Sequence, residues 1–315
     1  MQKEIYLTAY GNDRNADKGI VKLLFNPQNG RIQKEAFYPL DGKANLVIGQ
    51  ADRLVASVKG NHKTTLEFYK KDGTKEGETE TALFYSFACV LNNKLLLASY
   101  ESGADSVYDL EKNEMIRTVM HQKDGIEKNG KSHFIFQMKD GRCVSVENSL
   151  QQLYVYKNEN LEVERIVDFS GETEKNIRLL TFSKDEKTAF LNTELTNELI
   201  VLDTVDFHIR KAFVMTEDRN TFSGGNAVSE DGKMLCISLR GKDTVMVYAI
   251  HEDGMPVLQY EFACGRTPRD LKFAGEYLLV SCTDANSIEV YRPGWELAEK
   301  MSETQVFQPI TFAVE

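Results

Sequence analysis

The chain lacks most of the features that announce a chemistry. Its five cysteines (Cys89, Cys143, Cys236, Cys264, Cys282) are odd in number and show no CxxC spacing, which argues against a disulfide framework and a cysteine-ligated zinc. No N-x-S/T sequon occurs, and MQKEIYLTAYGN has no apolar h-region, so a reducing, cytoplasmic setting is expected. No apolar run approaches the length that crosses a bilayer, so no membrane partner is expected. Positive charge is in deficit: 38 Lys and Arg stand against 48 Asp and Glu, a net charge of −10. That excludes general binding to nucleic acid, but a few converging cations can still hold a small anion. HExxH, Walker A, dinucleotide and G-x-S-x-G motifs are all missing. His62, His121, His208 and His251 read as loop or outer-strand residues, so no metal and no other cofactor is expected. The D-x-N-x-D run at Asp13–Asp17 lacks the Gly and Glu of a calcium loop, with Leu24 at the twelfth place, and reads as a hairpin loop.

What is present is a repeat. An apolar strand, a polar turn and a second strand ending near an aromatic recur about seven times, at a spacing of roughly 45 residues. Met234–Tyr248 (MLCISLRGKDTVMVY) and Tyr277–Tyr291 (YLLVSCTDANSIEVY) are the sharpest copies. Others are Arg53–Tyr69, Lys94–Tyr108, Arg142–Tyr156 and Thr188–Asp203, with a looser one at Glu4–Phe25. One hairpin cannot bury both its faces, whereas a ring of them can. The copies run from end to end, which predicts a single all-β domain over 1–315: a seven-bladed β-propeller of four-stranded antiparallel blades. Asp140-Gly141 and Asp231-Gly232 are placed to turn between first and second strands; Asn29-Gly30, Asp72-Gly73 and Asp253-Gly254 between third and outermost strands. Phe307–Val314 has a strand pattern and no partner of its own. It is expected to supply the innermost strand of the N-terminal blade and so close the ring.

In an antiparallel hairpin the start of one strand neighbours the end of the next. The paired ends of the inner two strands should therefore collect on one ring His133, Arg178, Glu194, Arg240 and Arg269, with Tyr100, Glu147 and Lys59 as further members. Charged strand ends are usually solvated, but three arginines on neighbouring blades call for an anion between them, and Glu and His are types that transfer protons.

At these residues the chain resembles the lactonase family of β-propellers, which includes 6-phosphogluconolactonase and 3-carboxy-cis,cis-muconate lactonizing enzyme. Ser229–Lys233 followed by Ile237–Gly241 is similar to the family's "SPDG…YVSNRG", and Thr267–Asp270 to its "TPRD". Asn192–Leu195 resembles its "NEL", Ala98–Gly103 its "ANYGSG", Arg178 the arginine of its "RH", and His133 the second histidine of "PHxH". The resemblance implies active roles for His133, Arg178, Glu194 and Arg240. The chain departs from the pattern at Lys131 and Leu179, which replace histidines, at Lys59, where many members have Glu, and at Glu147-Asn148-Ser149.

Opening a lactone needs a base for water, donors for the developing oxyanion, and a grip on the substrate. Glu194 or His133 is expected as the base, Arg178 and Arg240 at the oxyanion or anion, and Arg269, Tyr100, Lys59 and Glu147 in substrate binding. The expected function is hydrolysis, without a metal, of a small anionic sugar lactone such as 6-phosphogluconolactone, by a monomer or weak homo-oligomer. The alternatives are a muconate-type lactonizing cycloisomerase and a non-catalytic propeller that binds a protein or an anionic ligand.

Overall fold

The computed structural model describes residues 2–10, 18–50, 52–127, 129–171 and 173–313; the Asp13–Asp17 run lies outside them. Among the described residues the regular structure is entirely β, in seven four-stranded antiparallel sheets. This is the seven-bladed β-propeller that the repeat predicts. Among the described residues there is no helix long and apolar enough to cross a membrane.

The first blade takes β1 (Lys3–Ala9), β2 (Gly19–Asn26) and β3 (Arg31–Pro39). The second takes β4 (Lys43–Gln50), β5 (Arg53–Lys59), β6 (Thr64–Lys70) and β7 (Lys75–Thr81). The third takes β8 (Phe87–Leu91), β9 (Lys94–Ser99), β10 (Ala104–Asp109) and β11 (Glu114–Met120); the fourth takes β12 (Ser132–Gln137), β13 (Cys143–Glu147), β14 (Gln152–Tyr156) and β15 (Val163–Asp168). The fifth takes β16 (Ile177–Phe182), β17 (Thr188–Thr193), β18 (Glu198–Asp203) and β19 (Ile209–Val214). The sixth takes β20 (Phe222–Val228), β21 (Met234–Arg240), β22 (Thr244–Ile250) and β23 (Pro256–Ala263); the seventh takes β24 (Pro268–Ala274), β25 (Tyr277–Cys282), β26 (Ser287–Pro293) and β27 (Ala298–Gln305). The last strand, β28 (Pro309–Phe312), pairs with β1, so the first blade has the order β28-β1-β2-β3 and the expected closure is present.

By contact density the chain forms two units: Met1–Pro39 with Leu179–Phe312, and Leu40–Arg178 with Ala313. In both, the second strand of a blade is buried on both faces; β9, β13, β17 and β25 are apolar or small nearly throughout. Side chains between neighbouring blades form the cores. In the first unit Phe25 meets Tyr277 edge-on at 5.6 Å, among Leu7, Leu23, Leu279 and Val290. Leu46, Ile48, Leu66, Leu95 and Tyr108 do the same in the second. Outermost strands are charged, as KEGETET in β7 shows, which blunts an otherwise pairable edge.

A short polar side chain on the second strand holds the next blade. Ser57 Oγ accepts from the Tyr85 amide at 3.0 Å, and Asn192 Nδ2 donates to the Gly224 carbonyl at 3.0 Å. Ser238 Oγ donates to the Pro268 carbonyl at 2.8 Å, and Ser281 Oγ to the Ile310 carbonyl at 3.4 Å. These four residues occupy the same place in their copies of the repeat and are fully buried.

A second device recurs on third strands. The buried carboxylate of Glu289 accepts from Tyr291 Oη at 2.6 Å and pairs with Lys300 of β27 at 2.8 Å. Glu67 is held the same way by Tyr69 and by Lys75 of β7, the latter at 2.8 Å. Burial opposes ionisation, but Lys300, Tyr291 and the Gly265 amide hold the Glu289 carboxyl below the usual carboxylate range. Lys300→Met should leave that carboxylate short of a partner. Because Lys300 is itself 41% exposed, the expected loss is about 1–2 kcal/mol, less than a fully buried pair would cost. Urea unfolding at neutral pH measures it, and an unchanged midpoint would contradict it.

Candidate functional site

Two positions in each repeat carry the candidate residues. The first lies near the start of the innermost strand, where the ladder skips a residue. The register breaks between Ala44 and Leu46, Ser132 and Phe134, Ser223 and Asn226, and Pro268 and Asp270. The skipped residues are Asn45, His133, Gly224-Gly225 and Arg269. A bulge re-aims a side chain out of the ladder, and this device is frequent beside active sites. The second position lies two residues after the buried polar residue of the second strand, on the same side of the strand. It holds Lys59, Glu101, Glu147, Glu194, Arg240 and Thr283.

In the first unit the structure brings Glu194 and Arg240 together. They form an ion pair in which each side chain is 16% exposed. Arg240 Nη2 also donates to the Ser223 carbonyl at 3.0 Å, while the buried Nε has no hydrogen-bond partner. The approach depends on glycine. A Cβ at Gly224 would stand 2.5 Å from Ser238 Oγ and 2.6 Å from the Pro268 carbonyl, and one at Gly225 2.7 Å from the Leu271 amide nitrogen. Only a bare backbone lets β20 lie this close to β24. Leu195 and Phe222, each 40% exposed, supply apolar surface beside the pair. Arg269 at its bulge is half-buried, with its guanidinium over the Tyr10 ring at 5.9 Å. A guanidinium with unused donors next to a carboxylate can accept an anion and hand a proton acceptor to a bound water.

In the second unit the half-buried His133 meets Tyr100 edge-on at 5.4 Å, and Lys131 Nζ lies 5.3 Å above the same ring. Arg178, second residue of β16, is 5% exposed. Lys59 pairs with Glu101, one repeat further on. The residue that aligns with Lys59 and Glu194 in this copy is therefore Glu101, a position the sequence reading passed over in favour of its neighbour Tyr100.

The expectation that Glu147 binds substrate needs correcting. Its side chain is closed to solvent. Oε1 accepts from the Lys131 and Ser149 amides, the latter at 3.1 Å, and Oε2 lies 3.1 Å from His121 Nδ1. Nor is His121 a surface residue: it is 3% exposed, with Nε2 3.0 Å from both Asp105 Oδ2 and Tyr156 Oη, and its ring stacks on Tyr154 at 3.9 Å. Ser132 Oγ donates to Asp105 at 2.6 Å. The cluster thus fixes Lys131 and Ser132, the two residues before His133. The signal for it was in the sequence: Asp105 and Glu147 interrupt apolar strands, and buried carboxylates need a cation.

Elsewhere in the first unit, a groove of about 1250 Å³ lined by Lys184, Arg210, Lys233, His251 and Asp253 lies at the Thr188 end of β17, opposite Glu194. Asp203, Asp206 and His208 each place a ligand atom within 4.8 Å of the others on a largely exposed turn.

A family model described as "Lactonase, 7-bladed beta-propeller" matches residues 5–298. An uncharacterised protein of Lactococcus lactis subsp. lactis (strain IL1403) is 24% identical over 323 residues, 92% of each chain. The 6-phosphogluconolactonase of Bacillus subtilis (strain 168) is 25% identical over 199 residues, 58% of this chain and 57% of its own. Among solved structures, a Lactobacillus plantarum protein is similar with a TM-score of 0.87 at 18% identity over 99% of both chains. The Pseudomonas aeruginosa periplasmic gluconolactonase PpgL gives 0.81 at 16% identity over 98% of both. At these identities the solved structures share the fold.

The His121 cluster makes stability depend on pH. Burial alone would lower the imidazole, but Asp105 and Glu147 outweigh it and raise His121 to about 9. The unfolded value is about 6.5, so the stabilisation, on the order of 3 kcal/mol, is complete below that pH and is lost as pH rises through the folded value. The urea midpoint of the wild type should fall between about pH 7 and pH 9.5, and His121→Gln should flatten that slope. A wild-type midpoint that holds steady across the window would mean the imidazole is neutral.

Proposed function

Since the chain belongs to the lactonase family of seven-bladed β-propellers, we propose that it hydrolyses a small anionic sugar lactone, of which 6-phosphogluconolactone is the leading candidate. The observation that carries this reading is the Glu194–Arg240 pair, half-sheltered, one repeat apart, with Arg240 anchored on the Ser223 carbonyl. Arg240 offers a planar fork with donors to spare for a carboxylate, a phosphate or an oxyanion.

In this reading the substrate's charge draws Arg240 partly away from Glu194. The carboxylate then takes a proton from water as the oxygen attacks the lactone carbonyl. Arg240 donates to the carbonyl oxygen as it gains charge. Collapse breaks the ring C–O bond, and the leaving alkoxide recovers a proton, giving the open sugar acid. Arg269, stacked on Tyr10, grips the substrate's anionic group. His133 and Arg178 keep in this proposal the roles the family resemblance implies, proton transfer and anion binding. The Bacillus subtilis relative is a 6-phosphogluconolactonase and the Pseudomonas aeruginosa neighbour a gluconolactonase, which supports a sugar lactone as substrate class. The free cysteines support a cytoplasmic location. A binding-only propeller is favoured by a different observation: Lys131, where the family pattern has histidine, has its ammonium over Tyr100.

A lactone-hydrolysis panel including 6-phosphogluconolactone, run on the wild type, Glu194→Gln and Arg240→Ala, decides between them. Each substitution should lower kcat about a hundredfold or more, with unfolding midpoints near that of the wild type. Turnover indifferent to Glu194→Gln would remove the base. A wild type inert on every lactone, yet binding phosphate through Arg240, would establish the binding module instead.

A further inference from the structure

All five thiols are free; Cys264 is half-exposed and the other four are buried. Cys264 follows β23, the outermost strand of the sixth blade, and Cys282 ends β25, the second strand of the seventh. The backbone between them is pressed together: a Cβ at Gly265 would stand 2.9 Å from the Cβ of Cys282 and 3.0 Å from its Sγ. Cys282 belongs to an apolar cluster against which Cys264 packs, and the Cys264 thiol donates to the Asp243 and Gly265 carbonyls at 3.5 and 3.6 Å.

We propose that Cys264 and Cys282 form a reversible disulfide that clamps the end of β23 onto β25. The oxidant is a peroxide or an oxidised low-molecular-weight disulfide. With hydrogen peroxide, the Cys264 thiolate attacks one oxygen, the O–O bond breaks, and a sulfenic acid and water result. The Cys282 sulfur then attacks the Cys264 sulfur, forming the S–S bond and releasing a second water. Two thiols and one peroxide give one disulfide and two waters. The order follows from access, since Cys264 meets solvent and Cys282 does not. The neighbouring Cys264, and then burial, hold the Cys282 thiol well above the usual range, so the second step is the slow one.

The clamp would act on the segment that carries Arg269. Thr267 has φ of 56°, unusual for a β-branched residue. It is held there by its amide on Asp243 Oδ1 at 2.8 Å and its hydroxyl on Asp284 Oδ2 at 2.6 Å. Drawing Cys264 toward Cys282 pulls on this strained link, two residues before Arg269. That consequence rests on the reading of Arg269 as an anion-gripping residue; the disulfide does not.

The test treats the reduced protein with excess hydrogen peroxide or oxidised glutathione, then blocks remaining thiols. Expected are a mass loss of about 2 Da, one Cys264–Cys282 cross-linked peptide on a non-reducing map, and reversal by dithiothreitol. Cys264→Ser and Cys282→Ala should each abolish the cross-link, and Cys89→Ser should leave it. Over-oxidation of Cys264 with no cross-link, or a link between other cysteines, would overturn the proposal. Affinity for inorganic phosphate, measured on both forms, should differ several-fold. A formed disulfide with unchanged phosphate affinity would overturn only its hold over Arg269.

Discussion

One interaction organises the rest: a short polar side chain on the second strand of a blade, bonded to the backbone of the next blade in, or just before, its innermost strand. Ser57, Asn192, Ser238 and Ser281 all make it. A buried hydroxyl or amide without such a partner would be costly, so the bond fixes the register between neighbours as well as their proximity. Because side chains alternate along a strand, the residue two places on must emerge on the same side, at the end of the strand. That residue is Lys59, Glu194, Arg240 or Thr283 in the respective copies. The constraint that holds one blade to the next therefore also decides which side chains are presented where the strands end.

How far this could be read from sequence follows from the same geometry. The repeat, the turn glycines and the closing strand were legible because each depends on local pattern: apolar runs, Asp-Gly or Asn-Gly pairs, and a strand without a hairpin mate. Glu194, Arg240 and Arg269 were legible because they end or begin recognisable strands. The copy at Ala98–Gly103 misled, because Tyr100 catches the eye where the aligned position is Glu101. Glu147 and His121 misled for a deeper reason. Sequence alone does not distinguish a strand-end carboxylate facing solvent from one turned inward onto a partner more than twenty residues away. His121 pairs with Glu147 across such a separation, 26 positions along the chain. The bulges at Asn45, His133 and Arg269 had no sequence signal either, since a skipped residue shows only in the ladder.

Two ion pairs join residues one repeat apart. Lys59 meets Glu101 and Glu194 meets Arg240, in each case a residue and its counterpart on the following blade. The two pairs differ in surroundings. Lys59 and Glu101 are 47% and 41% exposed, so water screens them and the pair is weak. Glu194 and Arg240 are 16% exposed each, flanked by Leu195 and Phe222. There the same attraction acts in a lower dielectric, and breaking it for an incoming anion costs more.

That cost bears on specificity. An anion that merely competes for Arg240 leaves Glu194 without its counter-charge, and a stranded, partly buried carboxylate is unfavourable. A ligand that also gives Glu194 something to do, a water to deprotonate or a hydroxyl to accept from, offsets the loss. Sugar lactones carry both an electrophilic carbonyl and hydroxyl groups, so they can satisfy both halves of the pair, whereas a simple inorganic anion satisfies one. In the proposed lactonase reading the pairing would act as a filter, disfavouring bare anions and favouring a substrate with a donor and an acceptor on the same small ring.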